Sequence, residues 1–398
     1  MRARIQYKSL ASFYFWYFAA VGALMPYLGL FLVERGCSAV QVGAVNALLA
    51  VMRICTPYVW GALADRTQRR MRMVQQALFA ASACIGALWI VTDFRSIALW
   101  LVLYGVFING TLAQFEIVTF RHLAERHAQF PRVRLWASVG FLLAVLAMGS
   151  IFDSVSVLTL PLWVASAYLV CWGFGTRIPE PQPVPNQQVT GELTSVLRRR
   201  PVQALLIVGL LAQLSCGPFN AFFSIYVGEH GYSRATTGLL WATGYCVEIA
   251  LLRFVPRLQE RIGLRQLMLA SLATLSLRWL LQTLWIDHVG LLLIVQSMQG
   301  LSVGVSAVVF VALVQQMFPD NLQGRGQAIF VGLSNGVGTA IGSLLGGLFW
   351  EEGPNRWLWF AASAVALVAW GIAWRWLRPD PAVALGTRVR VVAPRCGA

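Results

Sequence analysis

The stretch GALADRTQRR, residues 61–70, is the most informative in this chain. One carboxylate, Asp65, stands among Arg66, Arg69 and Arg70, between apolar runs at about 40–64 and 73–92. A second copy, PRLQERIGLR, occupies residues 256–265, which places Leu63 against Leu258, Asp65 against Glu260, Arg66 against Arg261 and Arg70 against Arg265. Any short cytoplasmic loop of a membrane protein gathers arginines. An acidic residue at the same place in both copies asks for more than that rule. Gly61 would let two helix ends approach closely. Asp65 can accept hydrogen bonds from a helix N-terminus or pair with an arginine across the bundle. The loop and its copy, Gly61, Asp65, Arg66, Arg70, Glu260 and Arg261, are therefore expected to form a conformational latch.

Outward from this loop, the chain reads as membrane protein. Of 398 residues, 58% are hydrophobic and 12% charged, against roughly 25% charged in a soluble domain. Six apolar stretches lie between about 10 and 176, then a polar segment with five prolines from Pro179 to Pro201, then six more between about 203 and 377. The spacing predicts an all-α integral membrane protein of twelve transmembrane helices in two six-helix halves, 1–176 and 203–378, with a cytoplasmic linker at 177–202 and a basic tail at 379–398. The first stretch is too long for a signal-peptide core and is expected to stay as a helix.

Charge fixes the expected orientation. With both termini cytoplasmic, 25 of the 31 Lys and Arg residues fall on the inner side and four on the outer; Arg53 and Arg278 lie within spans. The net charge of +15 then follows from topology and lipid headgroups rather than from nucleic acid. The seven cysteines form no CxxC and no Cys/His cluster, and the four histidines fall in loops or at helix ends. No HExxH, GxSxG or phosphate loop is present, so neither an enzyme nor a cofactor is expected.

G-x-L-x-D-R-x-x-R-R between the second and third helices resembles the signature loop of the major facilitator superfamily, with Gln68 standing where that family has glycine. The resemblance implies two six-helix halves that rock about a central site, and a monomer.

Charges inside a bilayer are costly and mark functional sites by default. Arg53 lies near the middle of helix 2, Glu116 in the inner third of helix 4, Glu248 in helix 8 and Arg278 in helix 9, while Arg134 opens helix 5. Asn109, Gln114, Gln213, Asn220 and Asn335 add amides, and Gln296, Gln299 and Ser302 share one face of helix 10, expected to line the cavity. Trp136, Phe141, Trp241 and Tyr245 flank the charged positions. Helix 11 carries glycines 332, 336, 338, 342, 346 and 347, a surface for close helix contact.

Glu116 and Arg134, eighteen residues apart and followed by RLWASVGF (134–141), resemble the helix 4 to helix 5 stretch of the lactose permease group. There such a pair binds substrate and an aromatic stacks on it; Phe141 takes that place here. The resemblance sharpens toward the phenylpropionate permease family of proton symporters at VRLWASVGF (133–141), AVMRI (50–54) and SIYVGEHGYS to GYCVEIALL (224–252). The titratable helix 10 residues of the lactose group are replaced by Gln296, Gln299 and Ser302, which leaves Glu248 as the proton carrier. The expectation is a secondary transporter of the cell inner membrane importing a small organic solute with protons, an aromatic carboxylate held by Arg53 and Arg278. The alternative is a sugar or nucleoside hydrogen-bonded by Glu116 and Arg134, or efflux. Helix 5 lacks the glycine-proline motif of drug antiporters.

Overall fold

The computed structural model describes residues 2–123, 130–181, 193–351, 353 and 356–377; the expected basic tail and the linker residues 182–192 lie outside them. Twelve long helices run through the described residues: α1 (Arg2–Glu34), α2 (Ala39–Thr67), α3 (Arg70–Ala87), α4 (Phe94–His122), α5 (Phe130–Phe152), α6 (Leu160–Gly175), α7 (Arg200–Glu229), α8 (Arg234–Leu252), α9 (Leu264–Leu284), α10 (Val289–Met317), α11 (Asp320–Trp350) and α12 (Arg356–Trp376). The described residues contain no strand. Eleven of these helices are long and apolar enough to cross a bilayer. The exception is α3, whose apolar run is diluted by Arg70, Arg72, Gln75 and Gln76.

The loop repeat has a counterpart in packing. Helix α1 packs on α5 and α6, α2 on α4, and α3 on α4 and α6; α7 packs on α11 and α12, α8 on α10, and α9 on α10 and α12. Raising each helix number by six maps the first set onto the second. The sets meet through α1 with α7, α2 with α11, and α5 with α8.

Lipid tails are as apolar as leucine, so helices in a bilayer associate by close packing and hydrogen bonding rather than by hydrophobic expulsion. The glycines of α11 serve that need. A Cβ at Gly217 of α7 would lie 2.6 Å from the Gly342 carbonyl carbon. On its other side α11 meets α2, with Gly336 under the Ile54 side chain and Gly347 against the Ala39 backbone. Two π-helical segments interrupt the second set, Gly300–Val305 in α10 and Gly332–Gly338 in α11. Such bulges often mark functional or bending points.

Helix α2 ends at Gln68, which adopts the left-handed conformation with φ 54° and ψ 18°. It is the one non-glycine residue with positive φ among those described. The departure from the signature loop thus has a physical side: the position is the kind glycine fills without steric cost. Gln68 is held there by its own amide, which donates to Asp65 O at 2.8 Å.

Candidate functional site: a central cavity between the helix sets

A cavity of about 230 Å³ lies between the two sets, lined by α1, α2 and α4 from the first and by Asn220 of α7 and Thr339 and Ser343 of α11 from the second. Its lining is both apolar and polar. Val21, Leu24, Met25, Leu28, Leu49, Ile108 and Leu112 supply apolar surface, joined by the rings of Tyr17, Phe18 and Tyr104. Asn46, Arg53, Asn109, Asn220, Thr339 and Ser343 supply hydrogen-bonding groups, and Arg53 is the one charged residue of the lining among the described residues. Arg53 sits midway along α2 yet is exposed, because it faces this cavity. The aliphatic wall and the polar groups together suit a small solute with both apolar and hydrogen-bonding parts.

The other expected site residues fall in two neighbouring places. Glu116 and Arg134 form an ion pair at 3.5 Å, each with 35% of its side chain exposed. The Arg134 guanidinium lies 4.5 Å from the centre of the Phe18 ring, and Phe18 lines the cavity. Phe141 is buried and packs across the set boundary on Tyr245, ring centres 4.4 Å apart. The Tyr245 hydroxyl reaches Met25 Sδ at 3.6 Å, and Met25 also lines the cavity.

Arg278 lies elsewhere. It is 1% exposed and is not part of this lining. One guanidinium nitrogen donates to Gln296 Oε1 at 2.7 Å and Gln299 Oε1 at 2.9 Å. The rings of Phe219 and Trp279 lie 4.5 and 4.8 Å from its guanidinium carbon. Gln299 then donates to Glu248 Oε2 at 3.5 Å, and Gln296 to Gln282 Oε1 at 3.3 Å. Gln296, Gln299 and Ser302, expected on the cavity face of α10, are buried and are not part of this lining. A buried guanidinium must be given acceptors, and the two amides are the acceptors that α10 supplies. Arg278, expected to hold a substrate carboxylate, is enclosed in this conformation.

The latch residues divide in the same way. Asp65 pairs with Arg70, and Arg70 also donates to Gln114 Oε1 of α4, so this contact stays within the first set. The N-terminus of α3 is held instead by Glu180, whose carboxylate accepts from Met71 N at 2.9 Å and Arg72 N at 3.2 Å. Among the described residues the close approach expected at Gly61 is not made in this conformation, as a Cβ there would meet only Gln114 Nε2 at 3.9 Å. Arg66, Glu260 and Arg261 are exposed, while Arg265 donates to Trp374 O at 2.8 Å.

The sets touch from mid-bundle to the end opposite the arginine-rich loops. There Asp153 of the first set accepts from Arg234 N at 2.7 Å and Ala235 N at 3.2 Å, capping α8 of the second. The Arg234 side chain pairs with Glu34 at 2.9 Å. On α2, Ile54 packs under Gly336, but Tyr58, one turn further toward the arginine-rich end, is 55% exposed. The contacts between the sets that the described residues make thus run from mid-bundle to the end opposite the arginine-rich loops.

Sequence alone does not mark Asn46, Tyr17, Tyr104, Thr339 or Ser343, and Asn109 and Asn220 read there only as amides within spans. A signal was present in α2, where Asn46, Leu49, Ala50 and Arg53 follow the i, i+3, i+4, i+7 pattern of one helix face.

Comparison with known proteins agrees with this architecture. The chain is 26% identical over 350 residues to the maltose permease of Geobacillus stearothermophilus, covering 85% of this chain and 86% of that protein. It is 23% identical over 399 residues to the xanthosine permease of Escherichia coli (strain K12), covering 92% and 93%. The crystal structure of the nucleoside transporter NupG superimposes with a TM-score of 0.82 at 16% identity, covering 94% of this chain and 100% of that one, a likeness of fold. The profile of the MFS_1 like family matches residues 7–361, so this chain belongs to that family and is a multi-pass membrane transporter of the major facilitator type.

Proposed function

We propose that this protein carries a nucleoside across the membrane by alternating access. The observation that carries the reading is the two-sided cavity, with an aliphatic and aromatic wall for a flat base and amides and hydroxyls for a ribose. The relative named as a xanthosine permease supports it, and so does a lining without carboxylates among the described residues. In this reading the arginine-rich end is cytoplasmic, the described conformation is open inward, and Glu116 with Arg134 guides hydroxyls at the cavity mouth. Glu248 takes up the coupling proton and reports it to Arg278 through Gln299. The lone guanidinium of Arg53 favours a second reading, uptake of an aromatic carboxylate.

Counterflow into proteoliposomes with labelled uridine, inosine, maltose and phenylpropionate tests these readings. Exchange of the nucleosides is expected. Exchange of maltose alone, or of phenylpropionate alone, would overturn the nucleoside reading, and the second result would establish the carboxylate.

A further inference from the structure

We infer that residues 253–262, between α8 and α9, form a docking surface for anionic phospholipid, with their arginines on the headgroup phosphate and their exposed apolar side chains against the acyl chains. The inference is independent of the solute that the cavity carries.

The sequence breaks the chain here. Proline has no N–H to donate, and its ring crowds the carbonyl four residues back, so Pro256 does not continue a helix that has just passed Leu252. Helix α8 stops at Leu252, and a new two-turn helix, Val255–Ile262, starts with Pro256 in its first turn. Gly263, at φ 84° and ψ 155°, ends it and turns the chain into α9 at Leu264. Both α8 and α9 are long and apolar enough to cross a bilayer, so the segment between them lies where two spans leave it. The end of α12 marks the same level. Arg265 donates to Trp374 O at 2.8 Å, and Trp374 and Trp376 are exposed there; tryptophan gathers at the headgroup level of a bilayer.

The pattern RFVPRLQERI (253–262) is that of a helix lying in an interface. Arg253 and Phe254 precede the helix but keep near-helical backbone, at φ −64°, ψ −28° and φ −97°, ψ −12°. Arg253, Arg257 and Arg261 therefore form one stripe, and Phe254, Leu258 and Ile262 the stripe beside it. Val255 is buried and Leu258 half-buried, which ties the helix to the bundle, while Phe254 and Ile262 stay exposed. The three arginines are exposed too, and their side chains make no hydrogen bond or ion pair among the described residues. Glu260 is the one carboxylate of the segment. A phospholipid with net negative charge meets both stripes at once: its phosphate accepts from guanidinium forks, and its chains cover the apolar side. The first set has no such surface. The pairing of Asp65 with Glu260 puts Tyr58, Ala62 and Arg66 in the places of the three arginines, and α2 runs unbroken to Thr67. The docking surface also adjoins a working part of the bundle. Glu248 and Leu251, in the last turns of α8, lie against Gly304 and Gly300 in the π-helical segment of α10. A lipid that holds residues 253–262 thus holds the end of the helix that carries Glu248.

Native mass spectrometry of the full chain in detergent, titrated with phosphatidylglycerol or with phosphatidylcholine, tests this. The parent is compared with Arg257→Gln alone, with Arg253→Gln, Arg257→Gln and Arg261→Gln combined, and with Phe254→Ser and Ile262→Ser combined. The control combines Arg198→Gln, Arg199→Gln and Arg200→Gln, which removes the same charge from exposed arginines at the start of α7. Size-exclusion profile and melting temperature confirm that each variant is folded. The parent is expected to bind phosphatidylglycerol roughly tenfold or more tighter than phosphatidylcholine. Arg257→Gln should lose about fivefold of that, the usual worth of one arginine at an anionic surface, and the triple variant tenfold or more. The serine variant should bind both lipids several-fold more weakly, and the control should bind them as the parent does. Equal binding of the two lipids by the parent, a preference that survives the triple substitution, or an equal loss in the control would overturn the inference. So would unchanged binding in the serine variant, or full competition by glycerol 3-phosphate, which has the phosphate without the chains and would mark a site for a soluble anion.

Discussion

Asp153→Ala should loosen the joined end of the transporter. Asp153 lies on the first helix set, yet its carboxylate accepts from Arg234 N and Ala235 N at the start of α8 in the second. The substitution removes two hydrogen bonds and a negative charge from a helix N-terminus. Losing an N-cap costs about 0.5–2 kcal/mol, and the charge–dipole contribution is about 0.3–1 kcal/mol. Ser233 continues to accept from Thr236 N at 3.1 Å, and water replaces part of what Asp153 gave, so the net effect is about 1–2 kcal/mol. The contact exists only while the sets touch at this end. The change therefore falls on the equilibrium between the two conformations, a shift of roughly 5- to 30-fold. Glu34→Gln should do less. The Glu34–Arg234 pair has side chains 30% and 38% exposed, and such pairs are worth about 0–1 kcal/mol and are weakened by salt. Spin labels on the exposed positions Val155 and His288, one in each set, report the separation of this end. Asp153→Ala should increase the longer-distance population markedly; Glu34→Gln should increase it slightly, and less so at high salt. An unchanged distance distribution in Asp153→Ala, or a larger shift in Glu34→Gln, would mean that the cap does not hold this end together.

Three further outcomes are expected. Glu248→Gln should abolish uphill accumulation while exchange counterflow persists; full accumulation in the variant would remove Glu248 from the coupling. Gly304→Ala should lower thermal stability by about 1–3 kcal/mol, the usual cost of overpacking, because its Cβ would enter the space of the Glu248 side chain; a neutral melting curve would show that the π-helical segment yields freely. Gln68→Gly should relieve a left-handed backbone, worth about 1–2 kcal/mol, against the loss of the bond from Gln68 to Asp65 O at 2.8 Å. A modest rise in melting temperature is expected, and a fall would mean that the side-chain bond outweighs the strain.

The membrane-spanning architecture was legible because its cause is local. Each span announces itself by a run of apolar residues, and the run is long wherever charge does not interrupt it. The weakest span was α3, where Arg70 and Arg72 intrude, and only its packing on α4 and α6 fixes its place. The repeat was legible for a similar reason, since Asp65 and Glu260 keep their place among arginines. The cavity was legible only in part. Arg53 stood out as a charge in an apolar run, but Asn46 and Asn109 look like ordinary amides until three helices are set side by side. A face at three-residue spacing such as that of the α10 amides can turn toward the cavity or toward a neighbouring helix, and in this bundle Gln296 and Gln299 accept from Arg278.

The number and polarity of the spans, their duplication and the set of ionisable groups within them can all be read from the chain alone. Each follows from residues close in sequence and from the cost of charge in a bilayer. Which of those groups share a space is settled only in the packed bundle. Arg53 faces the cavity and Arg278 is enclosed, although both are arginines near the middle of a helix. Asp153 caps a helix that begins 81 residues later. Such pairings depend on how the rotation of each helix satisfies all its neighbours at once, and no stretch of one helix carries that information.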